Sequence, residues 1–373
     1  MSIKPRGYKF TVRVLAALVA VAVMATAAGW ACTSMIVGRR ASANGHCLLW
    51  KNRDTGNQHN FVQNVPAKDG NFAYVALYNA GDSTLSEAWM GMNQAGFAIM
   101  NTASYNLAPD TAVFKDREGV VMSRALQVCR TVDDFARLLD TLPKPMGVQA
   151  NFGVIDADGN GAYFETDDYR YTPYYLKDTD NDVLIRTNYS FSGNDADGMG
   201  YIRYDNTCHL LKDKIEGGGF DPEDFTEGVS RSFYHSLYDK DIAADTTLHW
   251  AVDQDFVPRR ITSASVVIEG VSAGEDPAQA VMWTLMGYPP CGHTQAVFVD
   301  SVPAGLRPTL PGWRSADSEK SLQLRAKAFP RHRGSGDRYI DMDFVRLQQA
   351  AQRQQSLQGY SDGRRERARR QLK

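Results

Sequence analysis

The chain has 373 residues, 43% of them apolar and 23% charged, and a formal net charge of -2. That composition excludes a disordered chain, a collagen-like fibre and a multi-span membrane protein, and it supplies material for one large or two medium domains. The near-neutral total hides an asymmetry. Residues 1–31 carry Lys4, Arg6, Lys9 and Arg13 and no acid, and Arg346–Lys373 carries eight bases and two acids. The body from Cys32 to Val345 is therefore acidic, with a charge of -12. An acidic body is a poor ligand for a polyanion, so no nucleic-acid partner is expected. The basic run Arg364–Arg370 reads as a solvated, mobile terminus.

Taken in chain order, the N-terminus has the pattern of a secretory signal. Basic residues precede an apolar stretch from Val14 to Ala28, which is short for a span of about 20 residues. Gly29 and Ala31 then occupy the -3 and -1 positions of a cleavage site before Cys32. A lipid-modified Cys32 is the alternative, but Gly29 and Trp30 suit that pattern badly. The expected layout is a signal peptide at 1–31, one domain at 32–340, and a C-terminal helix with a basic tail at 341–373. Export to a secreted or periplasmic location follows, with no stable membrane span once the signal is removed.

Strand signals dominate the body. Cys32–Gly38 and His46–Asp54, joined through Ala43-Asn44-Gly45, read as a hairpin. Strands are also expected at Asn71–Tyr78, Glu87–Met92, Gly96–Ser104, Asp182–Tyr189 and Ile261–Ile268. Asn151–Glu165 is a hairpin around an Asp-Gly-Asn-Gly turn. Helices are fewer. Val120–Arg130 has helical apolar spacing, and Thr131–Asp134 forms a capping box opening a second helix. Asp221-Pro222 starts a third, running through Phe225, Val229 and Phe233, and Phe344–Leu357 forms the last. Runs of hairpins with helices between them predict an α+β fold with largely antiparallel sheet.

Five cysteines in an exported chain leave at least one thiol without an internal partner. No histidine spacing suits a metal, so neither metal nor cofactor is expected. Cys32 stands apart because cleavage would make it the first residue. Its thiol would then share a residue with a free α-amine, whose ordinary pKa of about 7.7–8.0 suits a general base near neutral pH. Such a nucleophile carries its own base. Asp54 ends the strand that pairs with the one Cys32 opens, so its carboxylate returns to that neighbourhood. Asn101 and Asn188, at strand ends, are candidate donors to an oxyanion. Tyr105, Phe152, Tyr189, Phe191 and Trp283 are candidates for an apolar acyl pocket, although core packing is the commoner role of such residues.

These residues carry a family resemblance. Cys32-Thr33, the Gly45 turn, Lys51-Asn52-Arg53-Asp54, Met92–Gly96 with Asn101, and Thr187-Asn188 occur in the order seen in the choloylglycine hydrolase group of cysteine N-terminal-nucleophile hydrolases. Leu-Leu-Trp-Lys-Asn-Arg-Asp-Thr is closer to the isopenicillin N acyltransferase and carcinine hydrolase relatives, and the opening from Cys32 also resembles cysteine dipeptidases. The resemblance runs from Cys32 to about Gly270. It implies a four-layer αββα sandwich. It also implies a nucleophile and α-amine base at Cys32, an orienting carboxylate at Asp54, and oxyanion or substrate roles at Asn101 and Asn188. Two departures stand out. Lys51 replaces the arginine that precedes Asn-x-Asp in bile-salt hydrolases, which loses the bidentate fork. Thr262–Ser265 lacks the arginine that follows the corresponding segment there, although Arg259 and Arg260 lie just upstream.

The expected function is hydrolysis of a linear amide through an acyl-enzyme at Cys32. The partner is a small N-acyl amide or peptide substrate. A coenzyme A-dependent acyltransferase, a cysteine dipeptidase and a non-catalytic lipoprotein are the alternatives. The sequence is compatible with a homo-oligomer.

Overall fold

The computed structural model describes residues 32–108, 115–195, 197–334 and 337–372. The expected signal segment lies outside the described residues. The chain runs β1 (Thr33–Val37), β2 (Leu48–Asp54), β3 (Asn60–Val65), β4 (Tyr74–Asn79), β5 (Met90–Asn93) and β6 (Ala98–Ala103). Helices α1 (Glu118–Val128) and α2 (Val132–Thr141) follow, then β7 (Ala150–Ile155), β8 (Gly161–Thr166), β9 (Tyr171–Tyr175) and β10 (Val183–Arg186). After α3 (Tyr201–Leu210) come β11 (Thr262–Glu269), β12 (Val281–Met286) and β13 (Thr294–Val297), and finally α4 (Ala316–Ala328) and α5 (Met342–Gln371).

Two main antiparallel sheets result, one in the order β10-β1-β2-β11-β12-β13 and the other running β3 to β9 in sequence. They pack face to face. Ser34 Oγ of β1 lies 2.9 Å from Tyr163 Oη of β8, and Lys51 of β2 reaches Asn101 of β6. Outside the seven-stranded sheet, Phe135 of α2 meets Phe152 and Phe164 edge-on, with centroids 5.6 and 5.2 Å away, a favoured aromatic geometry. Outside the six-stranded sheet, Trp50 packs on Phe225, and Trp283 packs on Tyr360 of α5. The layers are helix, sheet, sheet, helix: the expected αββα sandwich.

Most elements arise where the patterning places them. Thr131 accepts from Asp134 N and Asp134 caps back, so the capping box opens α2 as read. The helix expected from Asp221 to Phe233 is cut short: a short π-helix at Asp224–Gly228 gives way to a single 3₁₀ turn at Val229–Arg231. Gly228 sits at the break with a non-helical ψ of -97°, a conformation open to glycine. The patterning does not announce α3, α4 or strands β3, β9, β12 and β13: short apolar runs do not declare their type, and α4 is mostly polar.

The C-terminus differs most from expectation. The basic run is the last part of a 30-residue helix, α5, docked through Arg367, while Arg364, Arg365 and Arg369 stay exposed to solvent as read. Tyr360 Oη shares a 2.6 Å hydrogen bond with Thr226, and Gly363 admits the helix against β13 and Trp283. A Cβ at Gly363 would come within 2.5 Å of both Ala296 and the Trp283 ring. Arg367 donates to the buried Glu269 of β11 and to Gly270 O. Glu269 also accepts from Asn44, His46 and Trp283. Burial alone would raise its pKa. The His46 hydrogen bond, the Arg367 charge and the remaining donors more than offset that and hold it at about 2. Arg367→Met should therefore destabilise the fold by about 3 kcal/mol, the scale of a broken buried pair. Urea denaturation at neutral pH measures it; a change within the noise of a surface substitution would mean that the end of α5 does not hold the sheet.

Candidate active site

The pairing of β1 with β2 builds the site. Thr33 stands opposite Asn52 and Ser34 opposite Lys51, so one step further Cys32 comes opposite Arg53. Side chains alternate across a strand. Leu49, Lys51 and Arg53 therefore face the second sheet, while Trp50, Asn52 and Asp54 face the helical layer. All seven residues of β2 are buried. Four consecutive polar residues at the end of such a strand are an expensive arrangement unless each finds partners.

Cys32 is 5% exposed, and its Sγ lies 3.8 Å from the carbonyl oxygen of Asp54. The Asp54 carboxylate turns to the helical side. Thr262, its cross-strand neighbour on β11, donates to Oδ1 at 2.6 Å, and Asn52 Nδ2 lies 3.4 Å from the same oxygen. Oδ2 is buried and accepts no hydrogen bond among the described residues; Arg259 Nη1 lies 3.9 Å from it. Burial pushes the Asp54 carboxyl up to about 6, with Arg259, Arg203 and the Thr262 hydroxyl offsetting part of the rise.

Arg203, on α3, ties the two halves of the site together. Its Nη1 donates to Cys32 O at 2.5 Å and to Thr33 Oγ1 at 2.8 Å, and its Nη2 donates to Asn188 Oδ1 at 2.7 Å. Asn188 in turn donates to Ala103 O at 2.8 Å. Both amide poles of Asn188 are thus engaged. A planar guanidinium holds the three acceptors from two nitrogens fixed in one plane, where a lysine has a single nitrogen on a flexible stem.

On the other face of β2, Lys51 Nζ donates to Asn101 Oδ1 at 2.8 Å and to Trp89 O at 3.2 Å. This fixes which way the Asn101 amide points. Its nitrogen makes no hydrogen bond among the described residues and remains available as a donor. Burial pulls Lys51 down to about 8, an effect that the neighbouring Cys32 partly offsets. Arg53 donates to Asn60, Ser263 and Asn79, and its guanidinium lies 4.9 Å from the centre of the Trp89 ring.

Cys32, Lys51, Asp54, Asn101 and Asn188 thus converge on one corner, linked through Arg203 and the Ala103 carbonyl. Sequence reasoning missed Arg203, because α3 was not foreseen. The signal available was Gly198 and Gly200 ahead of Tyr201, Tyr204, Cys208 and Leu211 at helical spacing. Thr262 and Arg259, from the segment that departs from the bile-salt hydrolase pattern, come to Asp54. Of the candidate pocket aromatics, Phe152 and Trp283 are core. Tyr189 and Phe191 instead join Tyr201 and Tyr204 in a ring cluster directly after Asn188, where Phe191 is half exposed. All five cysteines are free thiols, and burial pushes Cys47, Cys129 and Cys291 up to about 12.

Cys32 stands at the head of β1, an inner strand of the six-stranded sheet. Residues 33–204, beginning one position after Cys32, match the family model of acyl-coenzyme A:6-aminopenicillanic acid acyl-transferase. Over those residues the chain carries that family's pattern, in keeping with the resemblance read from its motifs. Three solved structures are also similar. An N-acylethanolamine-hydrolyzing acid amidase ortholog from Caenorhabditis elegans is 14% identical, with a TM-score of 0.43 over 63% of this chain and 92% of that one. A mutant of the conjugated bile acid hydrolase from Clostridium perfringens is 10% identical, with a TM-score of 0.43 over 73% and 95%. Penicillin V acylase from Agrobacterium tumefaciens is 12% identical, with a TM-score of 0.38 over 72% and 86%.

The Lys51–Asn101 bond generates a pH prediction. Lys51 is charged below about pH 8 and loses its proton as the pH rises through that value. Turnover should fall on the alkaline side with it. Lys51→Arg, which stays charged, should move that limb upward in a pH–rate profile; a limb that stays in place would assign it to another group.

Proposed function

We propose that this protein is an exported enzyme that hydrolyses a linear amide, with Cys32 as an N-terminal nucleophile freed by removal of residues 1–31. The observation that carries this reading is the Arg203 clamp, which holds the Cys32 backbone and the Asn188 amide with one side chain. It holds the backbone that carries the thiol and the Asn188 segment in a fixed relation before substrate arrives, as acyl transfer requires.

In this mechanism the Cys32 thiol passes its proton to its own α-amine and attacks the amide carbonyl carbon. The tetrahedral intermediate collapses to a thioester, and the amine leaves with that proton. The α-amine, neutral again, takes a proton from water for attack on the thioester, and the thiol is restored. Asp54 positions the nucleophile. Its unpartnered Oδ2 is a ready acceptor for an ammonium that exists only after cleavage. Asn101, its carbonyl end held by Lys51, offers its nitrogen to the oxyanion.

The family match favours a second reading. A coenzyme A thioester would acylate Cys32, and an amine rather than water would resolve the intermediate. Export weighs against it, because coenzyme A is a cytoplasmic cofactor. The two readings separate when the enzyme is given an N-acyl amino acid with and without acyl-coenzyme A. Free acid released without the thioester is the expected result; new amide that forms only with it would select the acyltransferase.

Two sets of variants test the machinery. Cys32→Ala should abolish turnover. A form keeping one extra residue before Cys32 should be nearly inactive, since it retains the thiol and loses only the free amine. Near-normal activity of that form would give the base role to another group. Asn101→Ala should raise the barrier by about 2.7–4 kcal/mol, the cost of one lost oxyanion donor, and should act on kcat rather than KM. Equal losses in kcat for benign variants elsewhere on β6 would remove that assignment.

A further inference from the structure

Arg53 is the residue of the corner that the mechanism leaves without a task. It is 3% exposed and Lys51 is 1% exposed. Both point from β2 into the space between the sheets, on the face that Cys32 shares. Neither forms an ion pair among the described residues. The partners of Arg53 are the neutral oxygens of Asn60, Asn79 and Ser263, and those of Lys51 are Asn101 Oδ1 and a backbone carbonyl. The nearest carboxylate on the strand, Asp54, faces the opposite way and is engaged with Thr262.

Donor capacity is also left over. A guanidinium has five N–H groups and an ammonium three. Arg53 spends three of its five, and its Nε is buried with no acceptor. Lys51 spends two of its three. Two buried cations with unspent donors and no ion pair among the described residues are costly unless an anion arrives. The position of that anion follows from the register. Arg53 is directly across the strand pair from Cys32, so an anion between the cations lies only a few bonds from a carbonyl carbon under attack by the Cys32 thiol.

We infer that Arg53, with Lys51, forms an anion subsite beside the nucleophile that takes a carboxylate carried on the leaving-amine side of the substrate. An amino acid acylated on its nitrogen presents a carboxylate at that reach. The inference rests on the proposed role of Cys32 and adds the charge that the substrate must bear. Burial pulls the Arg53 guanidinium down to about 10, with Cys32 and Asp54 offsetting part of the drop, and it stays cationic at neutral pH.

The test uses a matched pair of probes, N-phenylacetylglycine and the isosteric N-phenylacetylglycinamide. Affinity is measured by calorimetry on the Cys32→Ala protein and turnover on the unmodified protein. The carboxylate should bind on the order of 10- to 100-fold more tightly than the carboxamide, the scale of one hydrogen bond to a charged group. Arg53→Gln should reduce that ratio to near unity, while Arg53→Lys, which keeps the charge, should retain most of it. Melting temperature and circular dichroism identify any variant that fails to fold. If Arg53→Gln does not fold, the ratio in the Arg53-containing protein still decides. A ratio near one there, or one that survives Arg53→Gln in a folded variant, overturns the subsite. A strong preference in binding with no hydrolysis of either probe would sink the proposed reaction and leave the subsite standing. Equal hydrolysis of both probes with equal binding would do the reverse.

Discussion

The alternation of β2 is the constraint on which the site depends. One strand, paired on both sides, sends Lys51 and Arg53 into the space between the sheets and Asn52 and Asp54 toward the helices. Cys32 lies across from its end. A shift of one residue in the pairing of β1 with β2 would exchange the two faces. The cations would then meet the helical layer, and Asp54 would enter the intersheet core away from Thr262 and Arg259. The apolar part of the same strand guards against that shift. Leu49 packs in the intersheet core, whereas Leu48 and Trp50 pack in the outer one. A slip would displace all three at once. The register that packs the two cores is thus the register that assembles the chemistry.

Electrostatics in this corner follow from burial more than from pairing. Asp54, Lys51, Arg53 and Arg203 are each shifted toward their neutral forms because water is excluded from them. Partners recover only part of the cost. Glu269 is a useful contrast within the same sheet. It is as well buried, yet the donors converging on it hold it at about 2. At one end of the six-stranded sheet a buried carboxylate is saturated with donors and anchors α5. At the other, a buried carboxylate keeps one oxygen unpartnered and two cations keep unspent donors. Beside Cys32, then, Asp54 Oδ2 and Arg53 Nε are buried without a hydrogen bond among the described residues, whereas both oxygens of Glu269 accept.

Much of this was legible in the sequence, for identifiable reasons. The hairpin from Cys32 to Asp54 announces itself through β-branched residues, a glycine turn and a strand whose polar end breaks the apolar pattern. The capping box at Thr131 is a local signal with a local outcome. Arg203 was not legible, because its function depends on α3 lying against the start of β1, 171 positions earlier in the chain. Long-range placement of that kind leaves no trace in local spacing. The C-terminal run misled for a related reason. Most of its arginines are exposed, but Arg367 turns inward to Glu269, and the small residue that permits the approach, Gly363, is locally a helix-weakening choice.

The contrast between Lys51 and Arg203 bears on which parts of the corner can vary. Arg203 holds three acceptors on two different segments from two nitrogens fixed in one plane, so its fork is part of the geometry. Lys51 holds one side-chain oxygen and one carbonyl, a task within reach of a compact ammonium with three rotatable donors. The resemblance places an arginine at this position in bile-salt hydrolases. A lysine here keeps the positive charge and the grip on Asn101 while giving up the wider fork. The neighbouring Arg53 supplies a fork two positions along the same face. An ammonium that grips Asn101 and a planar fork thus sit on one face of β2, because a strand returns every second side chain to the same side.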